Sequence, residues 1–332
     1  MGQKQVGELE QAIHSDYNNI AGMVVLKEGK LLYEKYFNEC TGNAPIHVFS
    51  VTKSIISILF GIAIDKGYIK SVDQKVLDFF PEYTIKRGEK TIQDVTIKNM
   101  LTMTAPYKYK SAPYTKYFTS GDWVKSALDL LGGKGNIGEF RYTPLIGPDI
   151  LSGVLISATG QSILDFATKH LFFPLGINVE NNITFKDKEE QFAFLKAKNI
   201  SGWVADPKGT NTAGWGLTMT AMDMAKIGQL YLNDGKWGNE LIVSSRWIKE
   251  SIEEHTCWNE LKLPYGYLWW SRIANGYAAM GDSGNMIYIN QEKNLVVSIA
   301  SLYKPTAKDR VKLVVDYIEP IFERAMPSQS DF

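Results

Sequence analysis

Ser50 and Lys53 are the pair in this chain whose types and spacing could carry covalent chemistry. They open the run His47-Val-Phe-Ser-Val-Thr-Lys-Ser-Ile-Ile-Ser-Ile-Leu-Phe-Gly-Ile-Ala-Ile-Asp-Lys66, which reads as a helix beginning at Ser50. Three residues apart on a helix, the two side chains share a face. A serine hydroxyl is a weak nucleophile until a base takes its proton. Lysine can be that base once burial or the helix N-terminus lowers its pKa. The helix start also offers the Ser50 N–H as half of an oxyanion hole. The plainer alternative makes Ser50 a simple N-cap and Lys53 a solvated first-turn residue. A second Ser-x-x-Lys, Ser301 to Lys304, ends a strand-like run and meets Pro305, so no helix carries it.

That helix needs a setting. Val51, Ile55, Ile58, Leu59 and Ile62 form one apolar face, and Ile56, Phe60 and Ala63 make the other side apolar too. A helix apolar nearly all round is a central, buried one, and this run is too short to cross a bilayer. Before it, Gly22-Met-Val-Val-Leu26 and Lys30-Leu-Leu-Tyr-Glu-Lys-Tyr-Phe37 predict a hairpin turning at Gly29, after a short amphipathic helix over 5–15. From 72 to 205 strand signals fade. Helical segments are expected at Val95–Thr104, Asp122–Leu131 and twice within Gly147–Leu175. Thr220 and Ser244 then cap two further helices. Strand signals return at Tyr265–Ser271, Tyr277–Met280, Met286–Asn290 and Leu295–Leu302, with turns at Gly281–Gly284 and Gln291–Asn294. A closing helix over Ala307–Arg324 is ended or kinked by Pro320.

Strands at both ends around a helical middle imply an α+β fold with one antiparallel sheet built from both chain ends. Residues 1–71 and 206–332 form the sheet region, residues 72–205 the mostly helical one, and the cleft between them is where a site belongs. The repeated Leu-Thr-Met-Thr-Ala at 101 and 217 has no repeating surroundings.

Composition excludes other classes. Thirty-six basic and 36 acidic residues balance, so nothing marks a nucleic-acid or anionic-membrane binder. Cys40 and Cys257 lack metal-ligand neighbours, so no metal is expected. Met-Gly-Gln-Lys-Gln-Val6 opens no apolar signal segment, and Val6 breaks a myristoylation pattern. The chain as given reads as cytoplasmic, or extracytoplasmic if a leader has been removed.

Several landmarks in order give a more specific reading. They are Phe49-Ser-Val-Thr-Lys-Ser54, Ile97-Lys-Asn-Met-Leu-Thr-Met-Thr104, Phe140-Arg-Tyr-Thr143 and Gly160-Gln-Ser-Ile-Leu-Asp-Phe-Ala167, followed by Phe173-Pro-Leu-Gly176, Gly214-Trp-Gly-Leu-Thr-Met-Thr220 and Tyr265-Gly-Tyr267. With these the chain resembles the penicillin-recognising serine hydrolases, in particular the class C β-lactamase-like branch with its esterases and D-amino-acid peptidases. The resemblance implies Ser50 as nucleophile, Lys53 and Tyr142 as general base and proton shuttle, and an acyl-enzyme hydrolysed by water. It implies no cofactor and a small ester or amide as substrate. It also makes Gly281-Asp-Ser-Gly-Asn285 the third motif, with Asp282, Ser283 and Gly284 facing substrate and the Asn285 N–H as second oxyanion donor. Trp215 and Tyr107 are expected as pocket walls, and Tyr109, Tyr265 and Trp269 lie beside the same landmarks.

Two positions depart from the family pattern. Pro144 stands where an Asn often binds the substrate amide, and Asp282 stands where a cation receives the carboxylate of β-lactams. β-Lactams are therefore expected to be poor substrates, and neutral esters or amine-bearing substrates better ones. The alternatives are a non-catalytic sensor or binding protein of the same fold, and a true β-lactamase or D-alanine carboxypeptidase. Gly281-Asp-Ser-Gly284 also imitates a chymotrypsin-like nucleophile loop. None of His14, His47, His170 and His255 has the context that such a loop requires.

Overall fold

The computed structural model describes residues 3–323. The N-terminal helix α1 (Gln3–Asp16) leads into β1 (Ile20–Lys27) and β2 (Lys30–Tyr36). Glu28 and Gly29 both take positive φ, 51° and 74°, which gives the hairpin turn the twist of its strands. The remaining sheet strands come from the far end of the chain. They are β3 (Thr256–Trp258), β4 (Leu263–Tyr265), β5 (Trp270–Ile273), β6 (Gly276–Gly281), β7 (Asn285–Asn290) and β8 (Leu295–Ser301).

Their order is β2-β1-β8-β7-β6-β5-β4-β3, and every pair is antiparallel. The two chain ends therefore meet in the middle of the sheet, where Val25 faces Val297. The fold is α+β, with a sheet made from both ends, helices against it and a helical insert between. β1 is buried at every position except Lys27, so its residues read as a continuous apolar run rather than an alternating one.

Two helices lie on this sheet near the site. The helix α2 (Val51–Asp65) is buried at every position from Val51 to Ala63 and packs on β6 and β7. The helix α4 (Ala221–Leu232) packs on β8, β1 and β7, and Gly228 lets it come close: a Cβ there would lie 2.4 Å from Val296 Cγ1. A capping box between Thr220 and Asp223 starts α4 as its sequence indicates. Between α2 and α4 the chain is mostly helical, and α3 (Asp149–Thr159) packs against α2.

Several elements differ from the sequence expectation. The helix expected over Val95–Thr104 shrinks to Ile97–Leu101, opened by a Thr96–Asn99 capping box and closed before Met103, whose φ is 57°. The strand expected over Tyr265–Ser271 is broken at Leu268, φ 60°. There the Ser54 hydroxyl bonds the Leu268 carbonyl and the Leu268 N–H bonds Leu101 O, so the break ties the sheet to α2. Strand β3 had no sequence expectation. Pro320 has no N–H to offer, and a π turn over Val314–Ile318 absorbs it. The closing helix runs on to Glu323, and its expected end at Arg324 lies outside the described residues.

Gly61 is where α2 meets the helix Ser245–Ile252, because a Cβ there would sit 2.3 Å from Trp247 Cδ1. Gly61→Ala should therefore destabilise the protein by about 1–3 kcal/mol through overpacking, despite alanine's better helix propensity. Denaturant unfolding measures this, and a stabilised variant would show that the two helices can slide apart freely.

Candidate active site

The short strand Ile46–His47 pairs with Thr218–Met219, and the Val48 N–H bonds Leu217 O, which fixes the approach to α2. Phe49 then takes a left-handed φ of 50°, an uncommon conformation for a bulky residue, with its ring against His47 at 4.0 Å and Tyr303 at 6.2 Å. That turn delivers Ser50 to the start of α2. The Ser50 side chain makes no capping hydrogen bond, so the simple N-cap reading fails.

Lys53 is 1% exposed. Its Nζ lies 2.9 Å from Ser50 Oγ, 2.7 Å from Pro144 O and 2.7 Å from Gly214 O. Burial pulls its pKa down to about 7, against the opposing pull of the Asp282 and Asp149 carboxylates. A neutral amine has two N–H bonds and one lone pair. The two carbonyls take the N–H bonds, and the lone pair is left facing the Ser50 hydroxyl, which then donates to it. Pro144 thus serves through its carbonyl rather than its side chain. Gly214 has to be glycine here, because a Cβ would lie 2.7 Å from Pro144 O.

Tyr142 covers this pair. Lys53 Nζ lies 5.3 Å from the centre of its ring, and the ring stacks on Trp258 at 6.0 Å and 11° and meets Tyr265 edge-on. Burial pushes its phenol up to about 12, partly offset by hydrogen bonding to Ser50. The phenol is therefore protonated near neutral pH, and Lys53 is the group of the three that titrates there. The segment carrying Tyr142 is anchored by Arg141, which donates to the Tyr107 and Tyr109 carbonyls and lies over both rings.

The third motif divides. Gly281 is pressed against the Ser50 backbone: a Cβ there would lie 3.1 Å from the Ser50 nitrogen and 2.4 Å from Val48 O. Asp282 is exposed, has no ion pair among the described residues, and its charge acts on Lys53, Tyr142 and Tyr114. The next three residues have structural employment. The Ser283 hydroxyl accepts from Lys304 N–H, and Gly284 sits against Arg310, where a Cβ would be 2.5 Å from Nε.

The Asn285 N–H donates to Asp282 O within the turn, so the expected oxyanion donor is already taken. Its side chain bonds Asp282 O and Ser301. A positive-φ turn at Ser283 (64°) and Gly284 (87°) causes this, since it folds these residues back onto β8. Ser283, Gly284 and Asn285, expected to face substrate, are thus each engaged within the protein.

Tyr107 and Trp215 are 7% and 4% exposed. Trp215 packs on His47, Phe118 and Phe185, and Tyr107 lies under Arg141. They stand behind the site rather than forming open walls. Trp269 is in the core against Tyr231. Tyr109 and Tyr142 keep part of their surface open, as do Trp258, Tyr303 and Tyr114, which sequence reasoning did not single out. Trp258 was missed because β3 was missed. His47 accepts from Gly216 N–H, and burial lowers its pKa to about 3, so it is a neutral structural group. The resemblance of 281–284 to a protease loop therefore finds no base. Among the described residues no group of three or more His, Cys, Asp or Glu could hold a metal, and no single helix is long and apolar enough to cross a membrane.

Known proteins resemble this chain in sequence and in fold. The 6-aminohexanoate-dimer hydrolase of Paenarthrobacter ureafaciens is 22% identical over 257 residues, covering 74% of this chain and 59% of that protein. The chain thus spans less than two thirds of that curated relative. A penicillin-binding protein homolog from Caulobacter crescentus superposes with a TM-score of 0.74 at 14% identity, covering 96% of this chain and 97% of that one. The octameric penicillin-binding protein homologue from Pyrococcus abyssi gives 0.71 at 20% identity, over 97% and 79%. At these identities the superpositions speak for the fold. The Beta-lactamase family model, however, matches residues 10–315, and the chain belongs to the beta-lactamase family.

Proposed function

We propose that the protein is a serine hydrolase that cleaves a small ester or amide through an acyl-enzyme. The observation that carries this is the Lys53 amine, buried, 2.9 Å from Ser50 Oγ, with its other hydrogen-bonding directions filled by Pro144 O and Gly214 O. As Oγ bonds the substrate carbonyl carbon, the Ser50 proton passes to Lys53, and the carbonyl oxygen takes the negative charge. The free Ser50 N–H at the helix start is one donor to that oxyanion. The Asp282 N–H, following Gly281 at the nucleophile's backbone, takes the place of Asn285 as the second. When the intermediate collapses, the leaving group receives a proton from the Tyr142 hydroxyl, which Lys53 replenishes. Water then repeats the sequence in reverse and frees Ser50.

Substrate charge is the second part of the proposal. An exposed, unpaired Asp282 at the mouth repels a carboxylate and attracts an ammonium group. The only anchor that Pro144 offers is a carbonyl already given to Lys53. Both features disfavour penicillins and cephalosporins. They suit neutral esters and amides that carry an amine. The aminohexanoate dimer in the name of the Paenarthrobacter relative is an amide with an amine at one end, which suits Asp282, and a carboxylate at the other, which would have to lie away from it.

Ser50→Ala should abolish both p-nitrophenyl ester hydrolysis and covalent labelling by a fluorophosphonate, read by intact-protein mass. Labelling retained in that variant would place the nucleophile elsewhere, and absence of labelling in the wild type would favour a binding protein.

Lys53→Arg keeps the charge but cannot give up a proton near neutrality, so ester turnover should fall by at least about 10²-fold, and Tyr142→Phe by a similar factor. In the wild type, kcat/KM for a neutral ester should rise with pH through about 7, because Lys53 acts only when unprotonated. A flat profile and an active arginine variant would return Lys53 to a structural role.

Nitrocefin should be a poor substrate beside a p-nitrophenyl ester. Asp282→Lys should shift the ratio of the two kcat/KM values toward nitrocefin by about tenfold or more. The ratio is the quantity to read, since the new charge also acts on Lys53 in both reactions. An unchanged ratio would mean that the 282 side chain does not meet substrate.

A further inference from the structure

Asp149 is a buried carboxyl that the reaction sequence above leaves unused. It begins α3, seven residues after Tyr142, and is 2% exposed. Its Oδ2 accepts from the Tyr117 hydroxyl at 2.5 Å, and its Oδ1 accepts from the Ala213 N–H at 2.7 Å. The Gly214 N–H also bonds this carboxyl. The other face of the same peptide stretch carries Gly214 O, one of the two carbonyls that hold Lys53. Asp149 therefore fastens the 213–214 backbone from behind, and the chain of contacts runs Asp149, Gly214, Lys53, Ser50 without a gap. The same residue ties the start of α3 to the loop that supplies Gly214, so one of the two Lys53 carbonyls is backed by this side chain.

We infer that Asp149 is a positioning residue for the base: by clamping the Ala213–Gly214 backbone it aims the Lys53 amine at Ser50, and its charge biases where the Lys53 proton rests. This rests on the reading of Ser50 and Lys53 as nucleophile and base. A carboxyl serving only to fill the interior would need neither Lys53's carbonyl acceptor on the peptide it binds nor charge within reach of Lys53.

The titratable groups acting on the Asp149 carboxyl are Tyr117, whose hydrogen bond favours the ionised form, and Asp206, whose charge disfavours it. Lys53 in turn feels Asp282 and Asp149, with Tyr142 lying over it. Burial raises Asp149 to about 7, the range to which Lys53 is lowered, so the two exchange influence where the enzyme would work. An ionised Asp149 holds the proton on Lys53, and a neutral one releases it.

The test compares Asp149→Asn, Asp149→Ala and Tyr117→Phe with wild type, using kcat/KM for a neutral p-nitrophenyl ester across pH and the rate of fluorophosphonate labelling. Asp149→Asn still accepts from the 213–214 N–H groups but carries no charge. Its acid limb should move to lower pH, by about half a unit or more, with kcat kept within about tenfold of wild type. Asp149→Ala removes the clamp, so kcat and the labelling rate should fall about 10- to 100-fold, with KM changed far less.

Tyr117→Phe should move the acid limb in the same direction as Asp149→Asn but by less, and it supplies the answer should Asp149→Asn fail to fold. Acid limbs that superimpose on wild type in both Asp149→Asn and Tyr117→Phe would overturn the inference. So would an Asp149→Ala loss that merely tracks the folded fraction. If Ser50→Ala retains activity, the underlying reading has failed. If Ser50→Ala is silent while these acid limbs stay fixed, only the role of Asp149 has.

Discussion

The burial of one amine organises this molecule. A lysine ammonium removed from water carries a desolvation penalty of several kcal/mol unless it is well paired, and the other escape is to lose the proton. Lys53 has no carboxylate in contact, only the Ser50 hydroxyl and two backbone carbonyls. Those three oxygens can satisfy either protonation state, so it is burial without a contacting carboxylate that disfavours the ammonium. The electrostatics follow from the packing: α2 is apolar all round because it is buried on the sheet, and the lysine on its first turn has a lowered pKa for the same reason.

Three separate stretches must converge for this to hold, and the topology explains how they do. The sheet joins both ends of the chain, which places β6 and its Gly281 terminus beside the start of α2. The pairing of Ile46–His47 with Thr218–Met219 brings the Gly214 loop against the nucleophile from the other side. The insert closes the third side with Tyr142 and Pro144. Glycine is required where two of these backbones touch: at 214 against Pro144 O, and at 281 against Val48 O and the Ser50 nitrogen.

How much of this was legible depended on whether the signal was local. Ser50, Lys53, the hairpin, the capped helices at Thr220 and Asp122 and the strands from Gly276 onward follow from periodicity, turn chemistry and capping, all short-range. The Lys53 acceptors could not be read, because both are main-chain atoms, 91 and 161 residues away. Asp149 was invisible for the same reason, its partners being Tyr117 and the 213–214 backbone. In the third motif Gly281 lies against the Ser50 backbone, while a positive-φ turn at Ser283 and Gly284, which the family pattern does not convey, turns the Asn285 N–H to Asp282 O. Trp258 went unseen because β3 is three residues long with no alternation to betray it.

The same energetics give the departure at Asp282 a meaning. Burial drives the Lys53 pKa down, and the charges around it are both negative, Asp282 at the mouth and Asp149 behind. A cation at 282 would add to desolvation and push the amine further from protonation. The proton taken from Ser50 would then be held too weakly for efficient transfer at neutral pH. A carboxylate there does the reverse and brings the amine back toward neutrality. Asp282 therefore bears on the Lys53 amine, and in the proposed reaction its one charge would act both on the base and on a charged substrate. A lysine flanked by carboxylates, rather than by a second cation, is thus a self-consistent way to hold a buried amine with a pKa of about 7.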